Sequence, residues 1–221
     1  MFNTTIATQI YAKICFEATN SQKKIIENLS EYLSDDDFSR IFVLNGFAGT
    51  GKTTLIAALV AALKELRIKP VLLAPTGRAA KVLARYCGEQ ALTIHKRIYR
   101  QRTNADYESK FSLDFNREQG AVFIVDEASM LSDSTGDGAL FGSGSLLEDL
   151  VSYVRSGRGC RLILVGDSAQ LPPVGCDFSP ALDPATVSRY GEVVYGLMDE
   201  VVRQQMQSGI LFNATLVRCM L

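Results

Sequence analysis

The sequence predicts an α/β fold: a mostly parallel sheet flanked by helices. Three observations predict it. Short apolar runs recur at 40–45, 70–74, 121–126 and 161–165, as buried parallel strands require. Stretches of helical character separate them. The first run ends in a Gly-rich turn, Gly46-Phe47-Ala48-Gly49-Thr50-Gly51-Lys52-Thr53-Thr54, and a helical stretch follows at once. Strands alternating with helices in this way argue for a doubly wound sheet.

Each element has a local reason. A helix capped by Asn20 or Ser21 runs to about residue 33, with Ile25, Ile26, Leu29 and Leu33 on one face. Asp35, Asp36 and Asp37 then form a solvated loop, because acidic residues are unfavourable at a helix C-terminus. Strand 40–45 and an Ala- and Leu-rich helix, 54–63, flank the Gly-rich turn. Strand 70–74 leads into helix 76–86, where Arg78, Lys81 and Arg85 share an exposed basic face. Segment 91–120 differs. It is polar, basic at first, and interleaved with Tyr99, Tyr107, Phe111 and Phe115, and it reads as a small inserted hairpin or subdomain. Strand 121–126 returns to the core. The Gly, Ser and Asp residues of 132–145 read as a loop. Helix 146–155 precedes strand 161–165. Asp183 and Pro184 read as a helix cap with Pro in the first position. A further strand at 192–195 and an amphipathic helix at 210–221 complete the chain.

Bulk properties narrow the class. The 221 residues suit one large or two small domains. The apolar fraction of 47% and charged fraction of 21% are those of an ordinary globular protein. No apolar run approaches the roughly 20 residues of a membrane span, and residues 1–16 lack a secretory signal. Five scattered cysteines show no C-x-x-C spacing, so reduced thiols in a cytoplasmic protein are expected. A formal net charge of −1 gives no global attraction to nucleic acid, which leaves that task to local basic clusters.

The Gly-rich turn is a P-loop, G-x-x-x-x-G-K-T. A strand, a turn and a helix N-terminus in that order make an anion site, with N–H groups and the helix dipole pointing inward. Gly46, Gly49 and Gly51 allow positive φ and close approach of backbone to phosphate, so Gly46 through Thr54, with Ala48 and Thr50, are nucleotide-binding candidates. Lys52 would reach the β- and γ-phosphates, and the Thr53 hydroxyl would hold Mg²⁺. Asp126 and Glu127 end a hydrophobic strand, where ligands bind in open α/β sheets. Asp126 could hold Mg²⁺ beside Thr53, and Glu127 could polarise an attacking water. Gln170, in the loop after strand 161–165, has the length to touch a γ-phosphate; a plain turn fits that spacing equally well. Arg203 is a late arginine that gains meaning only in a phosphoryl-transfer setting. His95 is the only histidine, and a lone histidine is a poor metal candidate. Lys96, Arg97, Arg100 and Arg102 beside Tyr99 would suit a path for single-stranded nucleic acid, or simply a solvated basic loop.

Taken in order, these pieces resemble a RecD-like superfamily 1 DNA helicase. The P-loop is similar to motif I, Ala74-Pro75-Thr76-Gly77-Arg78-Ala79-Ala80 to motif Ia, and Thr93-Ile94-His95 to the short element after it. Val125-Asp126-Glu127-Ala128-Ser129-Met130 resembles motif II. Gly166-Asp167-Ser168-Ala169-Gln170-Leu171-Pro172-Pro173 resembles motif III, and Val202-Arg203-Gln204 the start of motif IV. Gln22 matches the adenine-reading Q motif. The resemblance implies a RecA-like P-loop NTPase fold: domain 1A over 1–221, a Q-motif helix at about 20–34, and a 1B-like insertion at about 97–118. It implies ATP and Mg²⁺ as cofactors. Lys52, Glu127, Gln170 and Arg203 would be catalytic, and Thr76, Gly77, His95, Lys96 and Arg97 would line a single-stranded DNA track. It also implies 5′–3′ translocation and duplex unwinding by the intact enzyme. Nothing after Arg203 resembles motifs V and VI, so a second RecA-like domain is expected as a missing partner and the isolated chain as a poor ATPase. Nuclease or repair subunits are open as further partners, and no membrane partner is expected. Two other classes stand beside this reading. One is a non-helicase P-loop ATPase or kinase, and the other an ATP-gated, non-catalytic interaction module.

Overall fold

A computed structural model describes residues 2–103, 109–133, 141–200 and 202. Tyr107, residues 134–140 of the Gly- and Ser-rich loop, Arg203 and the helix expected at 210–221 lie outside the described residues. Successive strand residues face opposite sides, and each side has its own core. Phe42 and Leu44 of β1 (Ile41–Gly46) pack with Ile163 and Val165 of β7 (Arg161–Gly166) against α1 (Phe2–Lys13), α2 (Asn20–Ser34) and α3 (Lys52–Glu65). Ile41 and Val43 face the other way, with Leu162 and Leu164, toward Leu147, Leu150 and Val154 of α6 (Leu146–Ser156). Both sides being covered explains why these strands are continuously apolar rather than alternating.

The main sheet has six strands, all joined in parallel, in the order β3-β2-β6-β7-β1-β8. β2 is Pro70–Ala74, β3 Ala91–Thr93, β6 Val122–Val125 and β8 Val193–Met198. Strands distant in sequence thereby become neighbours: β1 lies between β7 and β8, and Asn45 pairs with both Gly166 and Leu197. The carboxyl ends of β8, β1, β7, β6, β2 and β3 form one continuous edge. A separate antiparallel hairpin, β4 (Tyr99–Thr103) with β5 (Ser109–Leu113), projects from the segment between β3 and β6. Between the edge strand and the hairpin lies α5 (Ile94–Ile98).

Several expectations change. No element was expected before residue 20, yet α1 is there, with Ile6 and Ile10 buried at i, i+4 against α2 and α3. Ala91–Thr93 is part of the main sheet rather than the insertion, because it extends β2 in register from Leu72 to Ala74. The acidic loop is not merely solvated: Asp35 pairs with Arg40, and its carbonyl accepts from the buried Arg161, whose guanidinium lies 4.6 Å over the Phe38 ring. Cys87, Cys160 and Cys176 are free thiols, and of these only Cys160 is buried. Among the described residues no helix is long and apolar enough to cross a membrane.

Candidate nucleotide site

The carboxyl edge gathers the polar residues. β1 ends in the P-loop. Gly49 and Gly51 adopt φ of 80° and 87°, and Gly51 is the N-cap of α3. A side chain at Gly51 would be strained by that φ, and its Cβ would sit 2.7 Å from Gln22 Nε2. Thr50 is buried, and its hydroxyl donates to the Phe47 carbonyl at 2.8 Å, closing the loop on itself. Ala48 and Gly49 are exposed, while Thr53 and Thr54 are half-buried in the first turn of α3. Lys52 Nζ donates to the carbonyls of Gly46 and Phe47 and lies 3.9 Å from Asp167 Oδ2. Burial pushes this ammonium below the usual lysine range, against the opposing pull of Asp167, Glu127 and Asp126. An anion bound in the loop would offer Lys52 a charged acceptor in place of backbone carbonyls.

Asp126 and Glu127 follow β6. Burial, then repulsion from Glu127, raises the Asp126 carboxyl above the usual range. A cation would relieve both effects. Glu127 has φ 56° and ψ 36°, left-handed backbone that a non-glycine residue adopts at a cost, and it starts the short 3-10 helix Ala128–Met130. The donor set fits Mg²⁺ and a triphosphate: a hydroxyl at Thr53, a carboxylate at Asp126, the ammonium of Lys52 and a loop of backbone N–H groups. Gln170 is exposed in the β7 loop, its backbone N–H bound to the Asp167 carbonyl at 3.1 Å.

Three residues in this assembly were not singled out from the sequence. Asn45, last but one in β1, is buried. Its amide donates to Ser168 Oγ (2.8 Å) and Tyr195 Oη (3.0 Å), and its carbonyl accepts from the Ser168 backbone N–H at 3.0 Å. It thereby ties the P-loop strand to the loop that carries Gln170. Asp167 is buried too, and accepts from the Ala169 N–H at 2.9 Å. A polar residue ending a wholly apolar strand was the available signal for both. Val202 donates to the Gly49 carbonyl at 3.1 Å and so brings the chain immediately before Arg203 onto the P-loop. Arg203 itself lies outside the described residues.

The residues expected on a DNA track occupy the β2–β3 side. Thr76 is exposed and caps α4 (Gly77–Cys87) by accepting from the Ala79 N–H at 3.2 Å. Gly77 is exposed, with open space where a Cβ would be. His95 is half-buried, its ring 5.1 Å from Phe141 and 5.6 Å from Tyr99, and burial lowers its pKa. Lys96 is exposed. Arg97 is engaged elsewhere: it donates to Glu118 Oε1 at 2.6 Å and lies 6.0 Å over the Tyr153 ring.

A family model described as an AAA domain matches residues 17–210. The chain belongs to this family. The curated relatives include helicases of the RecD type. The "ATP-dependent RecD2 DNA helicase" of Deinococcus radiodurans is 30% identical over 154 residues, covering 70% of this chain and 19% of the relative. The "RecBCD enzyme subunit RecD" of Mycobacterium tuberculosis is 33% identical over 201 residues, covering 74% and 32%. Among solved structures, the Pif1 helicase from Bacteroides in complex with ADP-AlF3 and ssDNA superposes with TM-score 0.54 at 20% identity, over 90% of this chain and 45% of that one. The Pif1 helicase from Candida albicans gives 0.53 at 21%, over 87% and 42%. The fold is therefore RecA-like, and this member of the AAA-domain family is similar in sequence to RecD-type helicases. It spans a third or less of these curated relatives and under half of these solved chains.

Proposed function

We propose that this motor domain binds MgATP on the P-loop and, in the whole protein, couples hydrolysis to translocation on single-stranded DNA and to duplex unwinding, in the 5′–3′ direction. The observation that carries the reading is the gathering of Lys52, Asp167, Asp126, Glu127 and the Gln170 loop at one end of three adjacent strands. Lys52 and the loop N–H groups hold the β- and γ-phosphates. Thr53 and Asp126 hold Mg²⁺, which neutralises charge on the phosphates when bound. Glu127 orients and deprotonates the attacking water, Gln170 contacts the γ-phosphate, and Arg203 stabilises the charge that develops on it. In a loose phosphoryl-transfer transition state, such positioning and positive charge supply most of the catalysis. Thr76, Gly77, His95 and Lys96 form the strand track, with the β4–β5 hairpin as the 1B-like element within 97–118. Arg97 supports that hairpin through Glu118.

A second RecA-like domain would close over the nucleotide. The RecBCD name of one relative supports nuclease or repair subunits as further partners, and the setting would be cytoplasmic. Fluorescence anisotropy of a labelled oligothymidine with this chain, with and without a non-hydrolysable ATP analogue, tests the coupling. The expected result is saturable binding whose affinity changes with the nucleotide. No binding in either state would leave a P-loop ATPase without a DNA track.

A further inference from the structure

Glu127 carries the water-orienting role in the proposed site, on left-handed backbone that a non-glycine residue adopts at a cost. We infer that Ser179 is a positioning residue for Glu127 and acts through the Ser129 carbonyl. This rests on the role proposed for Glu127 and deepens it.

Among the described residues only Arg67 and Glu127 combine a side chain with positive φ. Arg67 sits in an exposed turn just after α3, where a left-handed residue commonly ends a helix. Glu127 has no such local reason. It follows β6 and opens the 3-10 turn Ala128–Met130, so its conformation persists only if the surroundings over-determine it. Two backbone bonds close the turn from within: the Met130 N–H donates to the Glu127 carbonyl at 3.2 Å, and the Leu131 N–H to the Ala128 carbonyl at 3.0 Å. Ala128 and Ser129 are fully buried. From outside the turn, Ser179 Oγ donates to the Ser129 carbonyl, a buried bond between residues 50 apart. Gly166, the last residue of β7, makes the close approach possible. A Cβ there would meet the Ser129 nitrogen at 3.0 Å and Leu182 Cδ1 at 2.8 Å.

Ser179 is 7% exposed and stands in the N-cap position of a second 3-10 turn, Pro180–Leu182. A serine there ordinarily turns its hydroxyl onto an N–H of its own helix. This one makes no such bond and directs the hydroxyl across to Ser129. Its own turn is closed by backbone alone, with the Leu182 and Asp183 N–H groups donating to the Ser179 carbonyl at 3.1 and 3.2 Å. Loss of the hydroxyl therefore takes a partner from the turn of Glu127 and none from the turn of Ser179. The tether lies in the core beneath the carboxyl edge, where Ala181 and Leu182 share one buried cluster with Ala128 and Leu131. A general base works only within hydrogen-bond reach of the proton it takes, and a misplacement of about 1 Å can cost about 100-fold in rate. Fixing the backbone of Glu127 is thus a catalytic contribution made from a distance.

Ser179→Ala removes only the hydroxyl, and Ser179→Thr returns one. Thermal melts establish that both variants fold. Three quantities are measured on the 221-residue chain: MgATP affinity by calorimetry, slow turnover of radiolabelled ATP with Glu127→Gln as the floor, and amide exchange at single residues. Ser179→Ala is expected to bind MgATP as the unaltered chain does, with kcat lowered about tenfold at unchanged KM. Exchange at Met130 and Leu131 rises about tenfold, while Leu182 and Asp183 keep their protection. Ser179→Thr restores both kcat and exchange. Unchanged exchange at Met130 and Leu131, or a rise confined to Leu182 and Asp183, makes Ser179 a prop for its own turn and overturns the inference. So does a rise at Met130 and Leu131 with kcat untouched. An unaltered chain that turns over ATP no faster than Glu127→Gln refutes the role of Glu127 instead, and one that fails to bind MgATP refutes the proposed site.

Discussion

On the β8-β1-β7-β6 side of the sheet's carboxyl edge, polar side chains hold one another across long sequence distances. Asn45 grips Ser168 and Tyr195, Gln22 grips Thr50, and Lys52 faces Asp167. On the β2–β3 side the corresponding groups make local bonds. Thr76 caps its own helix, Thr93 caps the next one, and Lys96 points to solvent. The first arrangement is preorganised for a ligand with concentrated charge, because its dipoles are fixed before the ligand arrives. The second suits a flexible polyanion held by exposed cations and ring faces. Two longer tethers on that side hold the hairpin's base rather than the exposed groups: Arg97 and Lys69 meet on Glu118, and Tyr99 Oη donates to the buried Asp149 at 2.6 Å.

Lys52→Ala strikes the first side hardest. It removes the cation that the P-loop itself carries, and nucleotide affinity should fall about 100-fold, within the range for a charge-assisted bond; calorimetry reads it. Asn45→Ala should follow. It strips the Ser168 N–H of its partner at 3.0 Å and frees the Gln170 loop, lowering stability by about 1 kcal/mol in denaturant unfolding. A Gln170 loop that keeps its amide-exchange protection in that variant would break the claim that Asn45 locks it.

The pair Arg97→Ala and Lys96→Ala sharpens the contrast on the other side. Arg97→Ala should cost about 1–2 kcal/mol of stability, because it removes a charge-assisted bond to a partly buried carboxylate. Lys96→Ala should leave stability unchanged and reduce the salt slope of oligonucleotide binding by about 1. An unchanged slope takes Lys96 off the strand track. The smallest effect is in pH. Burial lowers the His95 pKa, so the unfolded chain binds its proton first and stability should decline as pH falls through the ordinary histidine range. His95→Phe should flatten that decline in melts taken between pH 7 and 5.

The sequence pattern makes the central strands plain. β2 begins and ends as the apolar run does, and β1 and β7 are displaced by one residue at most, since burial on both faces leaves no polar interruption. The P-loop and Asp126-Glu127 are legible because their chemistry is local. Asn45 and Asp167 are not: each acts through a strand that only the sheet order makes a neighbour. The cap of α2 falls on Thr19 rather than on Asn20 or Ser21, because Thr19 and Gln22 close a capping box, and the reach of Gln22 to Thr50 depends on how α2 packs over the loop. β3 is too short, and α1 too weakly patterned, to stand out before their packing partners are known.

The most direct measurement of the site is calorimetric titration of ATP into the 221-residue chain with and without Mg²⁺, repeated for Asp126→Asn. One nucleotide per chain, bound more tightly with Mg²⁺ and losing that advantage in Asp126→Asn while metal-free binding persists, is the predicted result. Binding indifferent to Mg²⁺, or a Mg²⁺ advantage that survives in Asp126→Asn, would contradict a MgATP site assembled from the P-loop and the end of β6.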